Sequence, residues 1–169
     1  MSKIKMVLGL LFLSLLFSVS PALAIDPVKF EAVADSRVQQ EAPTYNYGSY
    51  NPLIFGDRSS IKARWLAFKF NLSAIPRDAN IETAYLRLFV NSTTSLGCAY
   101  NVARIVENWS ESTISWQNKP DYVNTDYSGV ILQNNDAVLI DVKNLVKGWI
   151  TPGAYSNYGL YLLSRNVGE

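Results

Sequence analysis

The chain has 169 residues, of which 49% are hydrophobic, and its 15 Lys and Arg nearly balance 14 Asp and Glu. That is one domain of ordinary size with no one-signed field to recruit nucleic acid. It holds no histidine and one cysteine, Cys98, which excludes a Ser-His-Asp or Cys-His catalytic unit, a His-ligated zinc site and an internal disulfide. Ten Tyr, seven Phe and four Trp suit a β-protein with a broad contact surface.

In chain order, residues 1–24 read as an export signal. Lys3 and Lys5 precede an apolar run over 6–17, Pro21 breaks it, and Ala22-Leu23-Ala24 supplies a small-x-small cleavage site. The run is shorter than the roughly 20 apolar residues that span a bilayer, and nothing after Ala24 is apolar for long enough to do so. The expected product is a single domain over 25–169, placed outside the cell or at its surface, with 13 basic and 14 acidic groups.

From residue 25 onward, short runs of alternating apolar residues are separated by Gly, Pro, Asn, Asp and Ser, the pattern of an all-β sandwich or barrel. Strands are expected over 28–33, 37–39, 53–55, 65–70, 83–91, 100–106, 112–116, 138–142 and 160–163. Within 65–70, Leu66, Phe68 and Phe70 share one face and Trp65, Ala67 and Lys69 the other. Within 83–91, Ala84, Leu86, Leu88 and Val90 oppose Tyr85, Arg87 and Phe89. One stretch is helical instead: Val142, Leu145, Val146 and Trp149 recur at i, i+3, i+4 and i+7, with Asp141 placed to cap the helix and Pro152-Gly153 to end it.

Several segments together carry a resemblance: Ala34-Asp35-Ser36, Tyr45-Asn46-Tyr47-Gly48-Ser49, Arg64 to Pro76, Ala84 to Val90, Trp109-Ser110-Glu111-Ser112-Thr113-Ile114-Ser115-Trp116-Gln117-Asn118-Lys119-Pro120, Asp141 to Trp149, and Asn157-Tyr158-Gly159-Leu160. Over nearly all of 25–169 the chain resembles the DNRLRE-domain family, carbohydrate-binding module family 96. The resemblance implies a jelly-roll-like antiparallel β-sandwich on secreted or surface proteins and, in some members, binding of an acidic polysaccharide such as alginate. Family domains continue past the Asn-Tyr-Gly-Leu strand into a final strand, which this chain, ending at Glu169, is expected to lack. Three readings are open: the sequence is a fragment or shortened form, the sandwich closes without that strand, or an open sheet edge accepts a strand from another copy or an envelope protein, with Val28, Phe30 and Val33 in the natural donor segment.

Two groups of residues are candidates for ligand contact. If the strands at 65–70 and 83–91 pair in sequence order, Trp65, Lys69, Tyr85, Arg87 and Phe89 share one face, where aromatics stack on sugar rings and cations pair with uronate carboxylates. The loop containing Tyr45 and Tyr47 is a second platform. Asp35, Asp57 and Asp141 are hard oxygen donors suited to calcium, with no EF-hand spacing and no other cofactor signal. Glu107 and Glu111 are the nearest carboxylate pair for glycoside hydrolysis, but Glu111 has a simpler role in bonding backbone. The expected function is therefore non-catalytic polysaccharide binding; the alternative is a structural or adhesive surface protein that assembles through an open edge. Binding predicts an affinity that weakens with salt and falls in Trp65→Ala and Arg87→Ala.

Overall fold

A computed structural model describes residues 27–56, 62–77, 79–91, 97–132 and 136–165; the expected signal segment and Asp57 lie outside them. The described residues form β1 (Ala32–Gln39), β2 (Arg64–Phe70), β3 (Tyr85–Val90), β4 (Cys98–Ile105), β5 (Tyr122–Ile131), β6 (Asp136–Asp141), α1 (Lys143–Ile150) and β7 (Leu160–Arg165). They build two antiparallel sheets, one ordered β1-β2-β7-β4-β5 and one β3-β6, so the chain is an all-β sandwich with one short helix. No helix among the described residues is long and apolar enough to cross a membrane.

Between the sheets, Leu66 and Phe68 of β2, Val102 of β4, and Leu160 and Leu162 of β7 pack against Leu86 of β3 and Ile140 of β6. The helix closes this core at one end with Leu145, and Trp149 packs beside it. The N-cap position falls to Val142, which has no side-chain cap hydrogen bond; Asp141, expected to cap the helix, stands one residue earlier, its Oδ1 accepting the Lys143 N–H at 2.8 Å.

The second face of the large sheet is also buried. Val38, Ala67, Ala103, Ile105, Tyr161 and Leu163 pack against Trp109 and Ile114, which come from the connection between β4 and β5. This connection is the Trp-rich motif of the sequence. The expected strand at 112–116 is instead a run of turns, stitched by Asn118: its Oδ1 accepts from Ser115 N and Oγ at 2.6 and 2.9 Å, and its Nδ2 donates to Thr113 O at 2.9 Å. A strand must offer its backbone to neighbouring strands, whereas here the side chain of Asn118 takes that role and coils the segment into a plug.

Two Asn-Tyr-Gly sequences use one device. Asn46 Nδ2 donates to Glu111 O and Ile114 O, both at 2.7 Å, while its Oδ1 accepts Gly48 N at 3.3 Å. Asn157 Nδ2 donates to Phe70 O at 2.9 Å, and its Oδ1 accepts Gly159 N at 3.1 Å. In each, the side-chain amide turns its own backbone and ties it to a distant strand or plug, and the glycine lets backbone meet backbone. A Cβ on Gly48 would collide with Glu111 O, and one on Gly159 with Phe68 O.

Other expectations are corrected by the same packing. Residues 28–31 and 53–55 are not strands, although Leu53 and Phe55 pack on the core. The ten-residue β5 has no counterpart among the expected strands; it is an edge strand rich in Asn, Thr, Asp and Ser, so its apolar alternation is faint. Cys98, expected as a buried small hydrophobe, is half-buried at the start of β4.

Gly159, at φ +94° with backbone in its way, and Gly153, at φ +77° with nothing within 4 Å, separate strain from collision. Gly153→Ala should cost about 1 kcal/mol, the left-handed penalty alone. Gly159→Ala should cost at least about 3 kcal/mol, as backbone strain and overpacking add. Asn46→Ala should cost about 2 kcal/mol by leaving two carbonyls without their donor. Urea unfolding midpoints check all three.

Candidate functional site

The expected shared face of Trp65, Lys69, Tyr85, Arg87 and Phe89 does not exist, because the two strands do not pair. β2 has β1 on one side and β7 on the other, while the 71–84 connection carries the chain over to the small sheet, where β3 pairs with β6. The five residues are therefore split among three places.

Trp65 belongs to the second core. Its ring lies 4.6 Å from Trp116, 5.6 Å from Tyr122 and 6.0 Å from Tyr161, and Lys119 Nζ lies 4.4 Å from the Trp116 ring centroid and 5.5 Å from that of Trp65. Burial pushes the Tyr161 phenol far up from its ordinary range. This cluster is packing beneath the plug rather than an open platform.

Tyr85, Arg87 and Phe89 do share a face, the outer one of the small sheet. Leu139 stands opposite Arg87 on β6, and Tyr85, Phe89 and Leu139 are 54%, 67% and 59% exposed. Arg87 is exposed between the two rings. Strand geometry spaces Tyr85 and Phe89 about 13 Å apart.

Lys69 points to the end of the sandwich. Its Nζ donates to Asn108 Oδ1 at 3.0 Å and Trp109 O at 2.8 Å and stands 5.0 Å from the Trp109 ring, and burial lowers its pKa. It lines an open cleft of about 740 Å³ between the 71–77 connection and the loop after α1. The same cleft holds a second cation, Arg77, with Asn71, Asn157, Tyr155 and Trp149. Not one Asp or Glu is among its described lining residues. Sequence reasoning singled out Lys69 but missed Arg77, Tyr155 and Trp149, since only folding brings the two loops together. The signal in the sequence was the polar, turn-forming character of both segments.

Tyr45 and Tyr47 come together with Tyr50 in a three-ring cluster, centroids 4.7, 5.4 and 5.9 Å apart. The Asn46 clamp fixes their loop to the plug.

The remaining candidates separate. Asp35 is on β1 and Asp141 at the end of β6, in different sheets, and the Asp141 carboxylate already bonds the helix N-terminus. Among the described residues no three His, Cys, Asp or Glu converge on a metal position. Glu107 Oε2 accepts Asp121 N at 3.0 Å, and Glu111 contributes its backbone oxygen to the Asn46 clamp. The backbone-bonding role expected of the Glu111 carboxyl thus falls to Glu107, because Glu111 turns its main chain towards Asn46.

Comparison with known proteins agrees with this architecture. The profile of carbohydrate-binding module family 96 matches residues 26–169, and the chain belongs to that family. No curated protein matches it.

The split of the expected face gives two variants opposite outcomes. Trp65→Ala should lower stability by about 3 kcal/mol, as a large ring leaves a packed cluster. Arg87→Ala, on an exposed strand face, should stay within about 0.5 kcal/mol of the parent. Thermal unfolding of the two proteins side by side checks this.

Proposed function

We propose that this member of carbohydrate-binding module family 96 is exported and acts without catalysis, attaching to an acidic polysaccharide outside the cell or on its surface through the cleft at the end of the sandwich. The observation that carries the reading is the charge of that cleft: Lys69 and Arg77 line it, and no described lining residue is acidic. A neutral sugar needs no such asymmetry, whereas a uronate carboxylate gains charge-assisted bonds, two at a time where it meets a guanidinium. Tyr155 and Trp149 add flat apolar surface, and the Asn71 and Asn157 amides offer donors and acceptors suited to sugar hydroxyls. The family membership supports a carbohydrate ligand; the acidity of that ligand is inferred from the cleft.

Arg77 is exposed and makes no ion pair among the described residues, so its removal should leave folding intact. Titration calorimetry with alginate should show binding that weakens as salt rises and falls about tenfold in Arg77→Ala. Equal binding of a neutral glucan, or an Arg77→Ala protein that binds alginate as well as the parent, would overturn the reading.

A second reading is assembly through a sheet edge. It is favoured by the small sheet, in which neither β3 nor β6 carries a further strand among the described residues, and by the exposed Tyr85, Phe89 and Leu139 on its outer face. Light-scattering mass of residues 25–169 over a concentration series decides it. Oligomers that grow with concentration favour assembly, and a constant single-chain mass removes it.

A further inference from the structure

Arg37 is 7% exposed, yet its guanidinium has no hydrogen bond or ion pair among the described residues. Nε is sealed from solvent without a partner. The guanidinium lies over the ring of Tyr47, whose centroid is 4.0 Å from Cζ. Burying a charge this deeply is costly unless an anion accompanies it, and among the described residues the nearby carboxylates do not. Glu41 is taken by Lys62 at 2.9 Å and Arg64 at 2.8 Å; their hydrogen bonds hold its carboxyl down at about 2. Asp35 shares the β1 face of Arg37 two residues away but forms no ion pair with it.

Over this cation sits the three-tyrosine cluster. Tyr45 and Tyr50 are each 47% exposed, and their hydroxyls are 2.6 Å apart. That hydrogen bond raises the Tyr45 pKa, so the Tyr45 phenol does not repel an anion. The Asn46 clamp holds the loop without help from a ligand, which lowers the ordering cost of binding.

We infer that Arg37 and Tyr45, Tyr47 and Tyr50 form a second ligand site, separate from the cleft, in which Arg37 takes the carboxylate of an acidic sugar and the exposed tyrosine rings carry the sugar itself. The sugar identity rests on the carbohydrate reading above; the position and charge of the site do not. Val33 lines the cleft, and Arg37 lies four residues further along β1, about 13 Å by strand rise. A polyuronate engaging both sites would be held more tightly than a single sugar by effective concentration.

The test uses glucuronate, inorganic sulfate and alginate on the folded protein, followed through the arginine side-chain N–H signals in NMR and by calorimetry. Glucuronate should shift the Arg37 Nε–H signal. Arg37→Met should abolish binding at this site or weaken it at least about tenfold, while Arg77→Ala leaves it unchanged. Arg37→Met should also melt at the same temperature as the parent or higher, because it removes an uncompensated buried charge. Should that variant not fold, Tyr45→Ala and Tyr50→Ala, both at exposed positions, should weaken glucuronate binding instead. A shift at Arg77 with none at Arg37 overturns the second site and leaves the cleft standing. A shift at Arg37 with none at Arg77 upholds this site and removes the cleft reading. Sulfate shifting Arg37 without competition from glucuronate overturns the assignment to an acidic sugar.

Discussion

The large sheet is buried on both faces, and the rest of the structure answers to that constraint. β7 runs through its middle with Leu160, Tyr161, Leu162 and Leu163 all buried, so neither side of the sheet can be left to water. The small sheet and the helix cover one side. The other has no third sheet among the described residues, and its cover is an irregular segment whose backbone polar groups need partners from side chains. Asn46 and Asn118 supply them, which is how a connection of turns can bury Trp109 and Ile114.

That solution decides which surface is left for a ligand. Trp65 and its aromatic neighbours are consumed as packing beneath the plug. Openings remain where loops gather: at the end of the sandwich, where the 71–77 connection faces the loop after α1, and at the tyrosine loop held by Asn46. Each holds a cation that forms no ion pair with a described carboxylate. An acidic polymer meets that condition better than a neutral one, since its charge compensates what the fold leaves unpaired.

The two Asn-Tyr-Gly turns show how a short motif serves both fold and site. Asn157 ties its turn to Phe70 O, at the edge of the cleft, and Asn46 ties the tyrosine loop to the plug. In each the tyrosine sits between the clamping amide and the glycine: Tyr47 stacks on Arg37, and the Tyr158 carbonyl accepts the Trp109 indole N–H at 2.8 Å. Setting a ring over a buried cation and fastening a buried tryptophan are thus done by the same local geometry.

By itself the sequence determined the sandwich class, the helix after β6 and the alternating faces of β2 and β3, because these follow from local periodicity and from caps and turns a few residues apart. Tertiary structure alone decided which strands are neighbours. Trp65 and Tyr85 looked coplanar along the chain, but the 71–84 connection passes between sheets, and the slots beside β2 go to β1 and β7. The polar edge strand β5 and the coiled path of 112–116 were equally hidden, since their stability comes from β4 and from side-chain amides rather than from their own pattern. The meeting of Lys69 with Arg77, Tyr155 and Trp149, and of Arg37 with Tyr47, was hidden for the same reason. Periodicity records which way a side chain faces, and only the folded chain fixes what it faces.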